Sequence, residues 1–525
     1  MKYLFIFLFS ASIVAANTID TTTLTVTTQQ GKLRGMIENE VYVWKGVRYA
    51  QPPVNHLRFK LPQPLPKWQG VYNATEYGNI AYQPKNKLSS MGKMDEDCLF
   101  LNVWASATKT VKKPVMFWIH GGGYALGAGS DEMYNGSKLC AKGDVIVVTC
   151  NYRLGPLAFM YLNDFNNDTI KFDSNVGLHD QAAALQWVKN NIEAFGGDPD
   201  NITIFGESAG ANSVISHMAS PVSKGLFQKA IVQSAAGFSF AEQSKTQAMQ
   251  MAHEYLKLLH INAENISSLF TISVDSLMTA GNQLFENVLK SEGAILTFAP
   301  VYGTDFLPLP ATEALVAGSA SNIPLLIGTN KDEMNLFAKT KKPKLLNPEE
   351  TTVVKFLRKL GRVEYLQNIA ALYPKYPSSS AILSMITDVI FELPANEIAA
   401  TQSTFAPTYC YRFDWTSFVI RLVKLGSCHG MELPFVFNSF HSAQGKLVLK
   451  ASNNQKVQQL SEKIQQAWLN FARNGNPNGE DNIWPPYHQQ TRTTMIFNNT
   501  HQLISDPSEK IREGWQSVFS KMSFN

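Results

Sequence analysis

The segment Gly206–Gly210 reads Gly-Glu-Ser-Ala-Gly and places a serine between two glycines, a pattern suited to nucleophilic attack. Asn201–Phe205 before it predicts a strand, and Ala211–Met218 after it is compatible with a helix. A serine at a sharp turn from strand to helix stands clear of the sheet on a strained backbone, where a substrate can reach it. The flanking glycines fit such a turn because a Cβ at either position would collide with a neighbouring element. Ser208 is therefore a candidate nucleophile.

A second feature is the glycine triplet that begins at Gly121, directly after a continuous apolar run. Backbone amides without side chains can turn toward an acyl oxygen and stabilise the negative charge that forms on it during attack. If both runs are strands of one parallel sheet, the triplet and Ser208 lie beyond the same edge of it. We therefore expect the amides of Gly122, Gly123 and Ala209 to form an oxyanion hole.

A serine hydroxyl also needs a general base within reach, and that base needs an acid to orient it. With a serine in this kind of turn, the usual chain order is serine, acid, histidine. His429 follows the strand-like run Thr408–Phe413, whereas the other late histidines lie in polar, unpatterned sequence. The acid should follow a strand, and both Asp332 and Glu333 come shortly after Ile323–Ile327. The residues alone leave the choice between these two acids open.

Strand-like and helical patterns alternate along the chain around these candidates. Several of the strand-like runs are apolar throughout, which is typical of parallel strands buried on both faces. The pattern predicts an α/β fold with a mostly parallel central sheet flanked by helices. Short β-type runs within residues 20–50 predict an antiparallel edge, and residues 240–320 and 340–400 predict large helical insertions that wall a deep cleft.

Five segments in this order resemble the type-B carboxylesterase/cholinesterase family of the α/β-hydrolase superfamily, over essentially the whole mature chain. The segments are Glu96–Val103, Asn151–Gly155, Phe195–Gly210, Asn330–Glu333 and His429–Glu432. The resemblance implies the α/β-hydrolase fold with large loop and helical insertions. It also implies a serine carboxylesterase that hydrolyses carboxylic esters through an acyl-enzyme, with a Ser-Glu-His triad and a backbone oxyanion hole.

The resemblance assigns roles to individual residues of this chain. Glu333 maps to the catalytic acid, His429 maps to the base, and Asp332 becomes a neighbour. Glu207 resembles a buried glutamate that supports the imidazolium. Two further pairs resemble the family's structural ion pairs: Arg58 with Glu96, and Arg153 with Asp180. The alternative is a catalytically silent, esterase-like secreted protein used for adhesion or storage, which is disfavoured because no member of the triad is lost.

The chain departs from the family pattern around the substrate cleft. The aromatic residues that narrow the acyl pocket of cholinesterases map near Ala294 and Leu296, just ahead of Phe298, so the resemblance implies a wider acyl pocket. Phe337 is expected to line the cleft, with a place in the core as the alternative. Leu88 stands where cholinesterases carry the tryptophan that stacks on a quaternary ammonium, so a preference for choline esters is not expected.

Cysteine usage departs from the family pattern as well. The chain has five cysteines, and Ala81 stands where relatives carry the cysteine that pairs with the one at Cys98. The resemblance therefore implies that Cys98 lacks this partner.

The bulk composition excludes several classes of partner. The chain has 525 residues and a formal net charge of +4 without a basic block, so no nucleic acid partner is expected. Length alone would allow three or four domains at about 150 residues each. No linker or repeat divides the sequence, so a single large domain with insertions fits better. We expect a small-molecule ester as the substrate, with no cofactor and no metal, and the sequence leaves a homo-oligomer open.

The N-terminus predicts passage through the secretory route. Residues 1–16 combine Lys2, an apolar stretch and a small-residue cleavage site, as a signal peptide does. Residues 17–525 then form the mature carboxylesterase domain, without a later segment long enough to span a bilayer. We expect a protein that is secreted or held in a vesicle lumen. Plausible glycosylation acceptors are Asn73, Asn135, Asn167, Asn265 and Asn498.

Overall fold

The structure is a computed structural model that describes residues 24–84, 91–108, 112–237, 240–292, 297–339, 354–355, 357–358, 361–450, 452–480 and 482–519. The signal segment and the positions of Leu88, Ala294 and Leu296 lie outside the described residues. The strands are β1 (Thr25–Thr27), β2 (Lys32–Arg34), β3 (Met36–Glu38), β4 (Val41–Arg48), β5 (Val71–Asn73), β6 (Phe100–Ser106), β7 (Lys113–Ile119), β8 (Ile146–Cys150), β9 (Gly197–Glu207), β10 (Lys229–Gln233), β11 (Leu325–Asn330), β12 (Thr408–Phe413), β13 (Thr493–Phe497) and β14 (Gln502–Ser505).

Helices cover both faces of the sheet and fill the long connections. The α-helices are α1 (Ser137–Gly143), α2 (Pro156–Phe159), α3 (Val176–Asn191), α4 (Ala209–Ala219), α5 (Lys245–Leu258), α6 (Val274–Glu292), α7 (Ala311–Val316), α8 (Asn335–Lys339), α9 (Leu366–Ala370), α10 (Ser379–Thr387), α11 (Leu393–Gln402), α12 (Phe418–Leu422), α13 (Leu433–Val436), α14 (Ala443–Leu449), α15 (Asn454–Asn474) and α16 (Glu509–Phe519). A π-helical segment, Asp388–Glu392, joins α10 to α11. Single 3₁₀ turns lie at Asn55–Leu57, Glu132–Tyr134, Asn163–Phe165, Ile192–Phe195, Pro221–Ser223, Ile266–Phe270 and Val363–Tyr365.

The described strands form one large mixed sheet and one small sheet. The large sheet has 11 strands in the order β14-β13-β12-β11-β10-β9-β7-β8-β6-β4-β3. Its strands from β13 to β8 run parallel, and the strands at either end are antiparallel. The mostly parallel sheet predicted from the sequence is therefore confirmed. The prediction for the N-terminal runs is only partly correct, because β4 lies at the antiparallel edge whereas β1 joins β2 and β5 in the separate sheet.

The core sits on both faces of the parallel strands. All residues of β8, β10 and β11 are buried. Along β7, Val115, Phe117 and Ile119 join the hydrophobic cluster on one face, and Met116 and Trp118 join the cluster on the other. Side chains alternate between the faces of a strand, so an unbroken apolar run feeds both clusters. This double burial explains why these runs lack the polar alternation of surface strands.

The predicted insertions are helical in their described parts. α5, α6 and α7 occupy the first insertion, and α9, α10 and α11 with the π-helical segment occupy the second. Near the C-terminus, the long amphipathic helix α15 packs under the sheet. It begins at an Asn453 cap, whose side chain accepts a hydrogen bond from the Lys456 amide at 3.1 Å. It ends at Gly475, whose φ of 72° suits a glycine.

Two ion pairs hold loops in place, one between two loops and one between a loop and helix α3. Arg58 Nε donates to Glu96 Oε2 at 2.6 Å, and Arg153 Nε donates to Asp180 Oδ2 at 2.8 Å. In each pair a second guanidinium nitrogen contacts the other carboxylate oxygen, so both contacts are bidentate. Both pairs that the resemblance predicted are therefore present.

All five cysteines are buried and free. Cys98 has no disulfide partner, in agreement with the alanine at position 81. Burial raises the pKa of every one of these thiols above its ordinary value, so the reactive thiolate form is scarce at neutral pH. Helices that could cross a membrane are also missing from the described part of the chain.

Candidate active site

The turn between β9 and α4 holds Ser208 in an unusual backbone conformation. Its φ is 59° and its ψ is −127°, a region that L-residues rarely adopt and that the surrounding structure must enforce. The Ser208 amide donates to the Gln233 carbonyl at 2.9 Å, and the Ser208 carbonyl accepts from the Asn212 amide at 3.0 Å. The residue is half-exposed, while its neighbours on both sides are buried. The geometry is that of a nucleophile elbow.

Close packing explains the glycine after the serine. A Cβ at Gly210 would lie 2.0 Å from the Ile119 carbonyl oxygen, so the end of β7 leaves no room for a side chain. The Gly121 backbone approaches the elbow from the other side, because a Cβ there would lie 3.0 Å from Ser208 Cβ. The end of β7 therefore brings the glycine triplet directly against the serine, as the parallel topology predicts.

Gly122 and Gly123 turn their backbones by adopting positive φ angles of 105° and 61°. The Gly122 carbonyl accepts the amides of Ala125 and Leu126 at 3.1 and 2.9 Å, which fixes the turn. The amides of Gly122, Gly123 and Ala209 donate no hydrogen bond within the part of the chain that the structure describes. Three amide donors thus gather beside one serine, and Ala209 also begins helix α4, whose dipole favours negative charge at that end.

The His429 imidazole contacts the Glu333 carboxylate. Its Nδ1 donates to Glu333 Oε2 at 2.7 Å, and the Asn330 amide donates to the other carboxylate oxygen at 2.7 Å. Glu333 is fully buried at the end of β11, and His429 is 7% exposed. Asp332, the other acid that the sequence left open, instead accepts the Ser427 amide at 2.9 Å. The structure therefore pairs the imidazole with Glu333 and not with Asp332.

Glu207 lies on the opposite side of the imidazole. Its Oε1 is 3.1 Å from His429 Nε2, although the geometry does not make a hydrogen bond. Ser208 Oγ and His429 Nε2 are likewise not hydrogen-bonded to each other. Contacts between a nucleophile and its base commonly tighten only when a substrate is bound. Glu207 directly precedes Ser208 in the chain. Its contact with Nε2 therefore shows that the imidazole lies next to the serine elbow.

Burial and neighbouring charges shift the pKa values of His429 and Glu207. Burial works to lower the pKa of His429, but the carboxylates of Glu207 and Glu333 outweigh it and raise that pKa to about 9. Burial raises the pKa of Glu207 to about 8, against the opposing effect of His429. When Glu207 is ionised, its buried negative charge next to Nε2 favours the imidazolium that forms when the histidine accepts a proton.

A third buried carboxylate, Glu432, completes the network. Its Oε1 accepts from Gln233 Nε2 at 3.1 Å, and Gln233 in turn accepts from the Trp468 indole at 3.0 Å. Asn330 donates to both Glu432 and the Cys428 carbonyl, which joins the acid loop to the base loop. Burial, followed by the nearby Glu333, raises the pKa of Glu432. The sequence marks Glu432 as part of a motif but does not reveal this contact.

Two aromatic rings pack on the imidazole. The Phe337 ring centroid lies 5.0 Å from that of His429, and the Phe391 centroid lies 5.2 Å from it. Phe337 therefore contacts the imidazole and also packs against a hydrophobic cluster, so its place along the substrate cleft stays a prediction. Phe391, in the π-helical segment, was missed because its place in an insertion carries no local signal. Phe298 is 4% exposed and faces Gly281 of α6, where an added Cβ would lie 3.4 Å from its ring.

The proposed glycosylation acceptors differ in exposure. Asn73, Asn167 and Asn265 are exposed, whereas Asn135 and Asn498 are half-buried. The Asn135 side chain accepts hydrogen bonds from Ser137, which occupies its oxygen. The three exposed side chains are the most accessible of the five.

Together, the fold and the site define a serine hydrolase with the α/β-hydrolase fold. A half-exposed serine, an acid-bound histidine and free amide donors converge beyond the carboxyl ends of parallel strands, as acyl transfer from an ester requires. A model of the carboxylesterase family matches residues 22–513. The chain belongs to the carboxylesterase family and is a carboxylic-ester hydrolase.

The relatives agree across nearly the full chain. The chain is 43% identical over 493 residues to the para-nitrobenzyl esterase of Bacillus subtilis (strain 168), covering 93% of this chain and 97% of the relative. It is 32% identical to the cholinesterase of Mus musculus, covering 95% of this chain and 87% of the relative. A solved thermophilic PNB esterase superposes with a TM-score of 0.84 at 41% identity, covering 94% and 99%. A solved carboxylesterase of Geobacillus stearothermophilus superposes with a TM-score of 0.83 at 36% sequence identity, covering 94% of this chain and 100% of that chain. These relatives do not support a catalytically silent protein.

Proposed function

We propose that Ser208, His429 and Glu333 are the catalytic triad of this carboxylesterase. The contact that carries the proposal is the 2.7 Å hydrogen bond from His429 Nδ1 to Glu333 Oε2, made beside the strained serine elbow. It leaves Nε2 as the ring nitrogen that can accept a proton. We assign Gly122, Gly123 and Ala209 to the oxyanion hole, because their amides donate no hydrogen bond among the described residues and the glycine triplet lies against the serine elbow.

The reaction follows from these positions. Ser208 Oγ attacks the ester carbonyl carbon while His429 Nε2 accepts the hydroxyl proton, and the carbonyl oxygen becomes an oxyanion held by the three amides. The imidazolium is stabilised by Glu333 and Glu207. The C–O bond to the alcohol then breaks, and His429 returns the proton to the departing alkoxide. Water, activated by the same histidine, attacks the acyl-enzyme, and Ser208 regains its proton as the carboxylic acid leaves.

The substrate that we propose is a small uncharged ester. The proposal is supported by the family resemblance, which maps the acyl pocket near Ala294 and Leu296, with Phe298 and Phe337 nearby, and implies room for a larger acyl group beside the two aliphatic residues. A series of p-nitrophenyl esters with increasing acyl length tests the function and the pocket together. We expect turnover of short and medium chains, with Ala294→Phe selectively lowering kcat/KM for the longer ones. No hydrolysis of any member would contradict the function, whereas equal losses across the series would contradict only the pocket.

Replacement of Glu207 by glutamine should move the acidic limb of the pH profile of kcat/KM to lower pH. The histidine acts as a base only when neutral, and a carboxylate 3.1 Å from Nε2 favours its charged form. The uncharged amide removes that effect, so the pKa of His429 falls and the base is neutral at lower pH. The measurement is kcat/KM for a p-nitrophenyl ester between about pH 5 and pH 10, a range that includes the raised pKa of His429 of about 9.

Glu242→Gln is the matched control for this pH shift. It removes a half-buried carboxylate, which accepts the Ala311 amide at 3.0 Å and does not contact the imidazole. The control should leave the acidic limb in place. An unchanged limb in Glu207→Gln, or the same shift in both variants, would contradict the electrostatic role of Glu207.

We also propose that the protein enters the secretory route and is glycosylated, with Asn73, Asn167 and Asn265 as the principal acceptors. The support is the signal-like N-terminal sequence together with the exposure of these three side chains. Production in a eukaryotic host followed by glycosidase treatment tests both parts. Retention in the cells without any change in mass on treatment would overturn the proposal.

A further inference from the structure

A loop beside the active site exposes large apolar side chains. We call residues 417–425 the 417 loop; it contains helix α12. Phe418 is 68% exposed, Leu422 is 65% exposed and Val423 is 46% exposed. Phe418 and Leu422, four residues apart, lie on the same side of helix α12, and Val423 follows directly at its C-terminal end. Such a group of neighbouring apolar residues is unusual on a protein surface and marks a site of interaction.

The loop is held in place by the core. Ile420 on its inner side is fully buried in one of the two main hydrophobic clusters. The Ser417 side chain caps α12 by accepting the Ile420 amide at 3.2 Å. At the other end, Asn335 Nδ2 donates to the Leu425 carbonyl at 3.1 Å. The exposed rings and methyl groups are therefore presented by an anchored turn.

The charged residues within the loop itself have one sign. Arg421 and Lys424 are exposed within the loop, and no acidic residue occurs from Trp415 to Met431. Lys331 is a further cation beside the start of the loop, with its Nζ 3.7 Å from Asp414. That aspartate also accepts from Arg412 at 2.8 Å, so its charge is already compensated. Apolar side chains with cations around them match the chemistry of an anionic lipid surface.

The position of the loop relates it to the catalytic residues. It follows β12, so it lies beyond the carboxyl ends of the parallel strands, on the same side as Ser208. Its C-terminal end runs directly into His429. Asp332, next to the acid Glu333, exchanges hydrogen bonds with Ser427 at 3.0 and 2.9 Å. A surface bound here would face the side of the molecule on which esters are cleaved.

We propose that the 417 loop docks the enzyme on an anionic lipid surface. Phe418, Leu422 and Val423 enter the interfacial region, and Arg421 and Lys424 contact the acidic headgroups. A second copy of this chain fits less well, because a symmetric contact would bring the same cations together. Three apolar side chains also bury far less area than the roughly 1,200 Å² or more of a stable protein interface. This inference concerns a partner of the protein and does not depend on the assignment of the triad.

Sedimentation with vesicles tests the proposal. The full-length protein is mixed with vesicles of phosphatidylcholine alone or with added phosphatidylglycerol, at low and high salt. We expect binding to the anionic vesicles that weakens with salt. The double variant Phe418→Ser/Leu422→Ser should lower the partition coefficient at least about tenfold, because two large apolar side chains no longer insert. Arg421→Glu/Lys424→Glu should lower it at least about tenfold by removing the attraction to the headgroups.

Two matched controls make the test specific. Val316→Ser removes an apolar side chain that is 65% exposed on α7, near the opposite end of the sheet, and Lys138→Glu with Lys224→Glu reverses two exposed cations elsewhere. Neither control should change the partition. Turnover of a soluble p-nitrophenyl ester without vesicles should stay at the wild-type level in all variants, which shows that the fold is intact.

Three results would overturn the proposal. The first is no binding of the wild-type protein to anionic vesicles at low salt. The second is equal binding by the wild type and both double variants. The third is a dimer in solution that the 417-loop variants dissociate, since it would identify a second copy as the occupant.

Discussion

Replacement of Ser208 by alanine should lower kcat for a p-nitrophenyl ester by about a million-fold, to the level left by substrate binding and the oxyanion hole. In the proposed mechanism this hydroxyl carries the atom that forms the acyl-enzyme. Steady-state turnover with highly purified protein measures the effect. In parallel, a fluorophosphonate probe should label the wild-type protein and leave the variant unmodified.

Ser213→Ala provides the matched control for the nucleophile. Ser213 lies on the same helix α4, fully buried, where its hydroxyl accepts from Gln181 at 3.1 Å. The control should keep both turnover and labelling. If Ser208→Ala protein with an unchanged melting temperature hydrolyses the ester at a rate close to that of the wild type, the nucleophile is another residue.

Replacement of Glu333 by glutamine should lower kcat by about ten-thousand-fold, as loss of the acid does in other serine hydrolases. Glutamine keeps the size of the side chain, but its amide removes the negative charge that stabilises the imidazolium. It can also reverse the hydrogen bond to Nδ1 and so select the wrong tautomer of His429. The rate should fall mainly in kcat, with KM little changed, because the acid does not touch the substrate.

The companion variant Asp332→Asn decides between the two acids that the residues alone could not separate. Asp332 accepts the Ser427 amide and does not reach the imidazole, so this variant should retain most of the wild-type kcat. Equal losses in both variants would point to a shared effect on the loop. A larger loss in Asp332→Asn would contradict the assignment of Glu333.

Much of the fold could be predicted because its parallel strands are buried on both faces. The runs that became β7, β8 and β10 are largely apolar, and that pattern needs no knowledge of their neighbours. The ends of the strands were harder to predict than their presence. For example, β9 begins at Gly197, several residues before the predicted run Asn201–Phe205. β1 was wrongly predicted at the edge of the main sheet because a short β-type run does not reveal which strand it pairs with.

The residues of the site also fall into those that the sequence could predict and those that it could not. Ser208 and the glycine triplet carry local signals, because backbone strain and close approach restrict which residues can stand there. Glu333 needed the family resemblance, since Asp332 beside it has the same chemistry. The contacts of Phe391 with His429 and of Glu432 with Gln233 join residues far apart in the chain. The sequence pattern therefore does not predict them.

The free thiols described above have a practical consequence for how the enzyme can be made. A domain whose cysteines are all unpaired and enclosed needs no oxidative folding machinery. The chain without its N-terminal segment should mature equally well in a bacterial cytosol and in an oxidising compartment. Its catalytic activity should also tolerate both dithiothreitol and mild peroxide, because neither reagent has a bond to cleave or a thiolate to attack.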